Sequence, residues 1–439
     1  MVMPCSLCGM RAFIFTAFLT ICASPAFAQD HRLQTAAASD LQQICSADAG
    51  RLWGQSLCGP LIVVDPQTRQ VWATQRDNES VLSLTAGGGW VGTLPPGVPV
   101  ANSTVEWAGV RWIMVMGPLP EDATQRRVLI GHEAWHRVQA SIGFPMQDAS
   151  AVHLETERGR YLMRLELRAL ATAMLSTGRA RRNAAKDALG FRMARLATFP
   201  EAVAIEAGLD RNEGLASYTG VVLGAGDQSN LFAARTLDDY DNHQALARAY
   251  AYASGPAYGL LLDQFLPTWR SQLATYAPAD ILVSPTGARV LNSRQLARQA
   301  ERYGGPEIAA EERRRAQAQI QLLADLRARF SGPRLELPLG QMQLEYDPNQ
   351  VTPVEGLGNV YRIITLRDAW GEFRATEGAL ISPNFNQLTA PAPNPGGISG
   401  PGWVLSLASG YRISAADNEG VVRPELIPPP PPGGPTPDN

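Results

Sequence analysis

The chain has 439 residues, with 38 Lys and Arg against 41 Asp and Glu, a net charge of −3. That near-neutral balance, with the basic residues scattered and Lys186 the sole lysine, excludes the concentrated basic footprint of a nucleic-acid binder. The length suffices for two or three domains with substantial cores.

Residues 1–28 read as a secretory signal peptide. Arg11 is their only charge, Ala12 to Ala23 is a short apolar run, and Ala26-Phe27-Ala28 forms a small-residue cleavage site before Gln29. The run is too short to span a bilayer, so no stable membrane span is expected after cleavage. Bulky Ile21 before Cys22 argues against a lipoprotein site. The expected location is periplasmic or secreted. Three of the five cysteines lie in this segment, which leaves Cys45 and Cys58 as an even pair. In an oxidising compartment such a pair predicts a disulfide.

Residues 29–123 are expected to form a β-rich N-terminal region. Leu61 to Trp72 reads as a hairpin turning at Asp65-Pro66. Val105 to Met116 (VEWAGVRWIMVM) alternates large apolar residues and reads as one strand. Residues 124–331 are mainly helical, with long helices predicted over Glu157–Ser176, Arg179–Phe199, Asn212–Gly224, Ala245–Trp269 and Glu311–Phe330. From Gly332 the texture changes to short alternating strands, a small β domain over 332–416. Residues 417–439 are read as a Pro-rich disordered tail, with five consecutive prolines from Pro428.

The chemistry concentrates at His132-Glu133-Ala134-Trp135-His136, an HExxH pattern. Val128, Gly131, Trp135, Val138 and Ile142 recur at helical spacing around it, and Gly143-Phe144-Pro145 stops the helix. Residues four apart share one helix face, so His132 and His136 can meet one Zn²⁺ while Glu133 projects toward a water-bearing position as general base. A catalytic site of this kind needs a third protein ligand. Glu213, in Asn212-Glu213-Gly214-Leu215-Ala216-Ser217-Tyr218, is one candidate, because Ala216, Ser217 and Gly220 one turn on would let its helix approach closely. Glu166 is the rival. It falls in the apolar arc of its helix among Leu162, Met163, Ala169 and Leu170, where a carboxylate needs a partner. It could be the third ligand, a hydrogen-bond acceptor for a ligand histidine, or the mate of an arginine.

These two segments resemble the gluzincins, the thermolysin-like branch of HExxH zinc metallopeptidases, whose Asn-Glu helix carries the glutamate ligand. The resemblance implies an α+β chain with a zincin-like core, a β-sheet plus active-site helices and a mainly helical C-terminal part, here followed by the small β domain. In zincins a strand placed like Val105–Met116 forms the sheet edge that pairs with an extended substrate. The implied function is hydrolysis of peptide bonds in a peptide or protein substrate by a Glu133-activated, zinc-bound water. An oxyanion donor is also implied, for which Tyr252, followed by small residues and a Gly-Pro break, ranks ahead of Tyr218 and His153. His243 lies in a polar, surface-type stretch. The departure is spacing, since 76 residues separate His136 and Glu213, and the disulfide region and β domain match nothing in that family. Two other classes fit the same residues: a non-catalytic envelope or secreted binding protein on a zincin scaffold, and a zinc amidohydrolase of non-peptide amides.

Overall fold

A helix, His31–Asp48, opens the described chain, within the region 29–123 that the sequence marked as β-rich. The computed structural model describes residues 31–428 apart from 147–148, 348–349 and 396. The signal-peptide segment and residues 429–439 of the Pro-rich tail lie outside the described residues. Helix α1 (His31–Asp48) places Ala37, Leu41, Ile44 and Cys45 on one face. That stripe packs on Ile130, Ala134 and Val138 of α2 (Ala123–Gln139). A buried ion pair, Arg126 Nε to Asp40 Oδ2 at 2.6 Å, joins the two helices. The predicted disulfide between Cys45 and Cys58 is present and fastens the end of α1 to the chain entering the sheet.

The first sheet has six strands, β1 (Leu61–Val64), β2 (Gln70–Ala73), β3 (Ser83–Leu84), β4 (Trp90–Thr93), β5 (Ser103–Trp107) and β6 (Val110–Met116), in the order β3-β4-β2-β1-β6-β5. Leu61, Val63, Ile113 and Val115 face α1 and α2, while Ile62, Val64, Trp112 and Met114 fill a second core on the opposite face. Burial on both faces explains why these strands read as continuous apolar runs. The predicted strand Val105–Met116 is a hairpin instead. Ala108 and Gly109 both take positive φ (49° and 72°), the geometry of a tight two-residue turn. Ala-Gly, in place of the usual Asn-Gly, hid the signal. The turn leaves β5 as the free edge of the sheet.

Helices fill the rest of the first compact unit, residues 1–308: α3 (Glu157–Leu175), α4 (Gly178–Thr198), α5 (Ala202–Leu209), α6 (Leu215–Ala225), α7 (Ser229–Tyr240), α8 (Leu246–Phe265), α9 (Pro278–Thr286) and α10 (Ser293–Glu301). A π turn, Asp210–Gly214, joins α5 to α6 without a break. Asp122 caps α2, its carboxylate accepting from Gln125 N at 2.8 Å, and Gly143 at φ 93° follows its last turn. The expected Gly-Pro break after Tyr252 is absent, because α8 runs through Gly255-Pro256. A Cβ on Gly255 would lie 2.2 Å from Gly214 Cα, so close packing there holds the helix through its proline. No described helix is long and apolar enough to cross a membrane.

The second unit, residues 309–439, begins within α11 (Gly305–Ser331), upstream of the 331/332 boundary read from composition. It is a β domain as expected. One six-stranded sheet includes Arg334–Pro338, Gln387–Pro391 and Ala379–Ile381, and a five-stranded antiparallel sheet includes Ile364–Asp368, Gly371–Ala375 and Trp403–Leu407. Alternate residues from both, such as Leu335, Leu337, Leu366, Phe373, Leu388 and Trp403, share one core. Its strands continue past residue 416 to Val421–Val422 and Pro424–Leu426, so the tail boundary moves C-terminal. Val421–Val422 pairs in parallel with the Arg334–Pro338 strand, contacts that composition alone did not reveal.

Candidate metal centre

Two glycine-lined approaches bring the HExxH helix and the Glu213 segment together. A Cβ on Gly220 would sit 2.3 Å from Val128 O, and one on Gly224 would sit 2.6 Å from Val128 N. Only glycine permits that distance between α6 and α2. The result places His132, Glu133 and His136 of α2, all buried, opposite Glu213 at the π turn. π turns recur at functional sites because the extra residue re-aims a side chain.

His132 Nε2 and His136 Nε2 lie 3.0 Å apart. Glu213 Oε2 lies 3.3 Å from the first and 3.5 Å from the second. A tetrahedral zinc site with bonds of about 2.0–2.2 Å has ligand–ligand edges of about 3.3–3.6 Å. The two edges to Glu213 match that range and the edge between the histidines, 3.0 Å, is shorter, so the three atoms approximate one face of such a tetrahedron, with the fourth corner left for a non-protein group. Glu213 Oε2 is buried without a hydrogen-bond partner, which an ion at the centre of that tetrahedron would supply. This buried His132, His136 and Glu213 group could hold a metal ion.

Comparison with family models, curated proteins and solved structures gives no match to the chain.

Neutral partners orient both imidazoles. His136 Nδ1–H donates to Gln139 Oε1 at 2.7 Å, and His132 Nδ1 is hydrogen-bonded to Ser217 Oγ at 3.1 Å. The first contact fixes the proton of His136 on Nδ1 and leaves its Nε2 lone pair free for the shared centre; the second does the same for His132 when Ser217 Oγ accepts. Gln139 Nε2 in turn donates to Asn212 Oδ1 at 2.7 Å, and Asn212 Nδ2 donates to Glu213 Oε1 at 2.8 Å. Burial alone would raise the pKa of Glu213, but the two imidazoles outweigh it and hold the carboxyl well below its usual range. Glu133 is different: burial raises its pKa against the opposing pull of His132 and His136. Its Oε2 is buried and has no hydrogen-bond partner.

The centre opens into a cleft of about 630 Å³. Asn102, Ser103 and Thr104, at the start of the edge strand β5, form part of one wall, and Phe232, Thr236, Asp239 and Tyr240 of α7 contribute another part. Tyr252 also lines it, its ring stacked on His132 with centroids 5.3 Å apart and planes 8° from parallel. Burial, then the Glu213 carboxylate, raises the Tyr252 pKa, so the phenol keeps its proton.

The remaining candidates stand elsewhere. Glu166 is fully buried and paired with Arg195 NH1 at 2.6 Å, and its Oε1 accepts from Tyr258 at 2.7 Å. It is the mate of an arginine and does not belong to the His132–His136–Glu213 group. His153 is hydrogen-bonded to Glu206 at 2.7 Å. Tyr218 donates to Asp263 at 2.5 Å and meets Arg270. Neither lines the cleft. His243 is exposed and stacked on Tyr240. Sequence reading missed the hydrogen bonds of Gln139 and Asn212, although Gln139 follows His136 by three positions on the same helix face and Asn212 directly precedes the candidate ligand Glu213.

Proposed function

We propose that this chain is an exported, zinc-dependent metallopeptidase of the gluzincin type. The observation that carries the reading is the near-tetrahedral spacing of His132 Nε2, His136 Nε2 and Glu213 Oε2, at 3.0, 3.3 and 3.5 Å. A carboxylate with an unpartnered buried oxygen, Glu133, stands beside them. When bound, a zinc ion supplies a Lewis acid for the scissile carbonyl and lowers the pKa of a water. Glu133 accepts the proton of the attacking water and passes it to the leaving amine, a role suited to a carboxyl whose pKa is raised. Tyr252 donates to the carbonyl oxygen as negative charge develops there. The unpaired edge of β5 receives an extended peptide by strand addition. His132 and His136, held through Ser217 and Gln139, position the centre without moving protons themselves.

Two measurements test this together. Protein purified without chelator should hold close to one zinc per chain, and His132→Ala or His136→Ala should lose it. Glu133→Gln should keep the metal and abolish turnover of a mixed peptide library. A wild type that binds zinc and cleaves no peptide at any pH would leave a binding protein on the same scaffold. Full zinc content in both histidine variants would remove the metal reading altogether.

A further inference from the structure

The cleft has a one-sided charge. Its acidic side chains are Glu133, Glu213 and Asp239, and among the described residues no Lys or Arg lines it. A divalent cation held by Glu213 and the two histidines would balance Glu133 and Glu213, and Asp239 would add a further negative charge to the wall, with Arg235 one turn before it on α7 outside the lining. Asp239 is exposed on the cleft-facing side of α7, which makes it available to a ligand. Its neighbour on that wall is aromatic: Tyr240 has its pKa raised by burial first and by the Asp239 carboxylate second. Tyr252 lines the same cleft. A carboxylate on a cleft wall that also carries two phenol groups and no Lys or Arg attracts a cationic nitrogen by direct charge.

The other end of the same wall is apolar. Phe232 stands two turns before Asp239 on α7, and Val221 of α6 with Val128 and Leu129 of α2 line the cleft with it. Residues 232, 236 and 239–240 recur at helical spacing, so one face of α7 presents an apolar anchor, then Thr236, then an acidic anchor. A free terminal carboxylate would meet no Lys or Arg on this wall, which disfavours recognition of a substrate's C-terminus there.

We infer that the cleft selects peptides carrying a cationic nitrogen against Asp239 and Tyr240, a few residues from an apolar side chain seated on Phe232 and Val221, and that Asp239 determines this specificity. The inference rests on the metallopeptidase reading for turnover, yet selection at the binding step is separable from it.

The test uses fluorescent peptides that differ at one position, Lys, norleucine or Glu, each prepared N-acetylated and with a free α-amine. Binding is read by anisotropy on the zinc-loaded Glu133→Gln protein, and turnover is read on the wild type. The Lys peptide should bind more tightly than the Glu peptide. Asp239→Asn should shrink the Lys-to-Glu ratio in Kd and in kcat/KM by about 3- to 10-fold, and added salt should do likewise. Asp239→Lys should invert the order. Preference confined to the unacetylated peptides assigns the cation to the chain's α-amine; preference in both forms assigns it to the side chain. Turnover with equal or reversed Lys-to-Glu preference overturns the inference and leaves the peptidase reading intact. Binding preference without any turnover does the opposite. Loss of binding by all three peptides in the wild-type background overturns both.

Discussion

Gln139 Nε2 donates to Asn212 Oδ1 at 2.7 Å, and this one bond ties the HExxH helix to the segment that carries the third candidate ligand. The three bonds along His136, Gln139, Asn212 and Glu213 all run in one direction. The imidazole proton is thereby held on Nδ1, and the Glu213 carboxylate is fixed through its Oε1. Breaking the chain with Gln139→Ala or Asn212→Ala should weaken zinc binding by about 10–100-fold, the usual effect of losing support behind a ligand. Chelator competition measures it. Unchanged affinity in both variants would reduce the relay to packing.

Glu166 tests the opposite assignment. Arg195 contacts Glu166 Oε2 at 2.6 Å and grips Glu206 through Nε and NH2 at 2.7 and 2.8 Å. Glu166→Gln leaves that buried guanidinium short of a counter-charge and should cost about 3 kcal/mol of stability. The folded fraction should keep its zinc. Metal loss at full stability would return Glu166 to the metal site.

The same network makes stability depend on pH from both sides. Arg192 and Arg195 face three carboxylates, Glu166, Glu206 and Asp210, with His153, Tyr250 and Tyr258 around them. Burial opposes ionisation of Glu206, but Arg195 and Arg192 outweigh it and hold its pKa far below normal. That contribution is present above the unfolded value near pH 4.5 and is lost as acid protonates the folded group. Burial pushes Asp210 the other way, up to about 7, against Arg192. The folded chain thus holds a proton there that the unfolded chain has released, and this contribution fades as pH rises from about 4 to 7. Denaturant midpoints should peak in mildly acidic buffer. Asp210→Asn should flatten the decline toward neutral pH, and an unaltered slope would contradict the protonation assigned to Asp210.

Gly220→Ala probes how close α6 must come to α2. Its methyl would meet Val128 O at 2.3 Å, a backbone contact that cannot move aside. The variant should lose about 1–3 kcal/mol and a large part of its zinc affinity together. Thermal melts and metal titration would separate that outcome from a simple loss of stability.

The disulfide closes a loop of sequence separation 13, which the chain-entropy model values at about 3 kcal/mol. Replacing Cys45 and Cys58 with Ala should lower stability by about that amount. Zinc content at low temperature should persist, since neither residue touches the cleft. Peptide mapping without reductant should find the two cysteines linked in protein exported from the cell.

His132, Glu133, His136 and Glu213 were legible in the sequence because helical periodicity surrounds the first three and small residues follow the fourth. The helices α1 and α7 were not. Their stripes mix alanine with few large apolar residues, Ala37 beside Leu41 and Ile44, and Ala233 and Ala234 beside Leu237, so composition gave a weak amphipathic signal. Missing α7 meant missing a wall of the cleft. Glu166 was correctly marked as needing a partner, but which arginine met it depended on how α3 and α4 pack, and no local pattern encodes that.

The π turn at Asp210–Gly214 lets a single continuous rod answer to two unrelated constraints. Its leading half is locked in rotation by Glu206 and Asp210 on the arginines of α4, its trailing half by glycine contact with α2. An ordinary α-helix turns about 100° per residue, and both locks need not fall in phase. One inserted residue absorbs the mismatch, like an odd tooth between two gears. Excising Arg211, a half-buried residue of the turn outside the candidate metal group, would swing Glu213 by about 100° relative to one of its two anchors. The centre would go dark through a change of register, with every ligand still encoded in the gene.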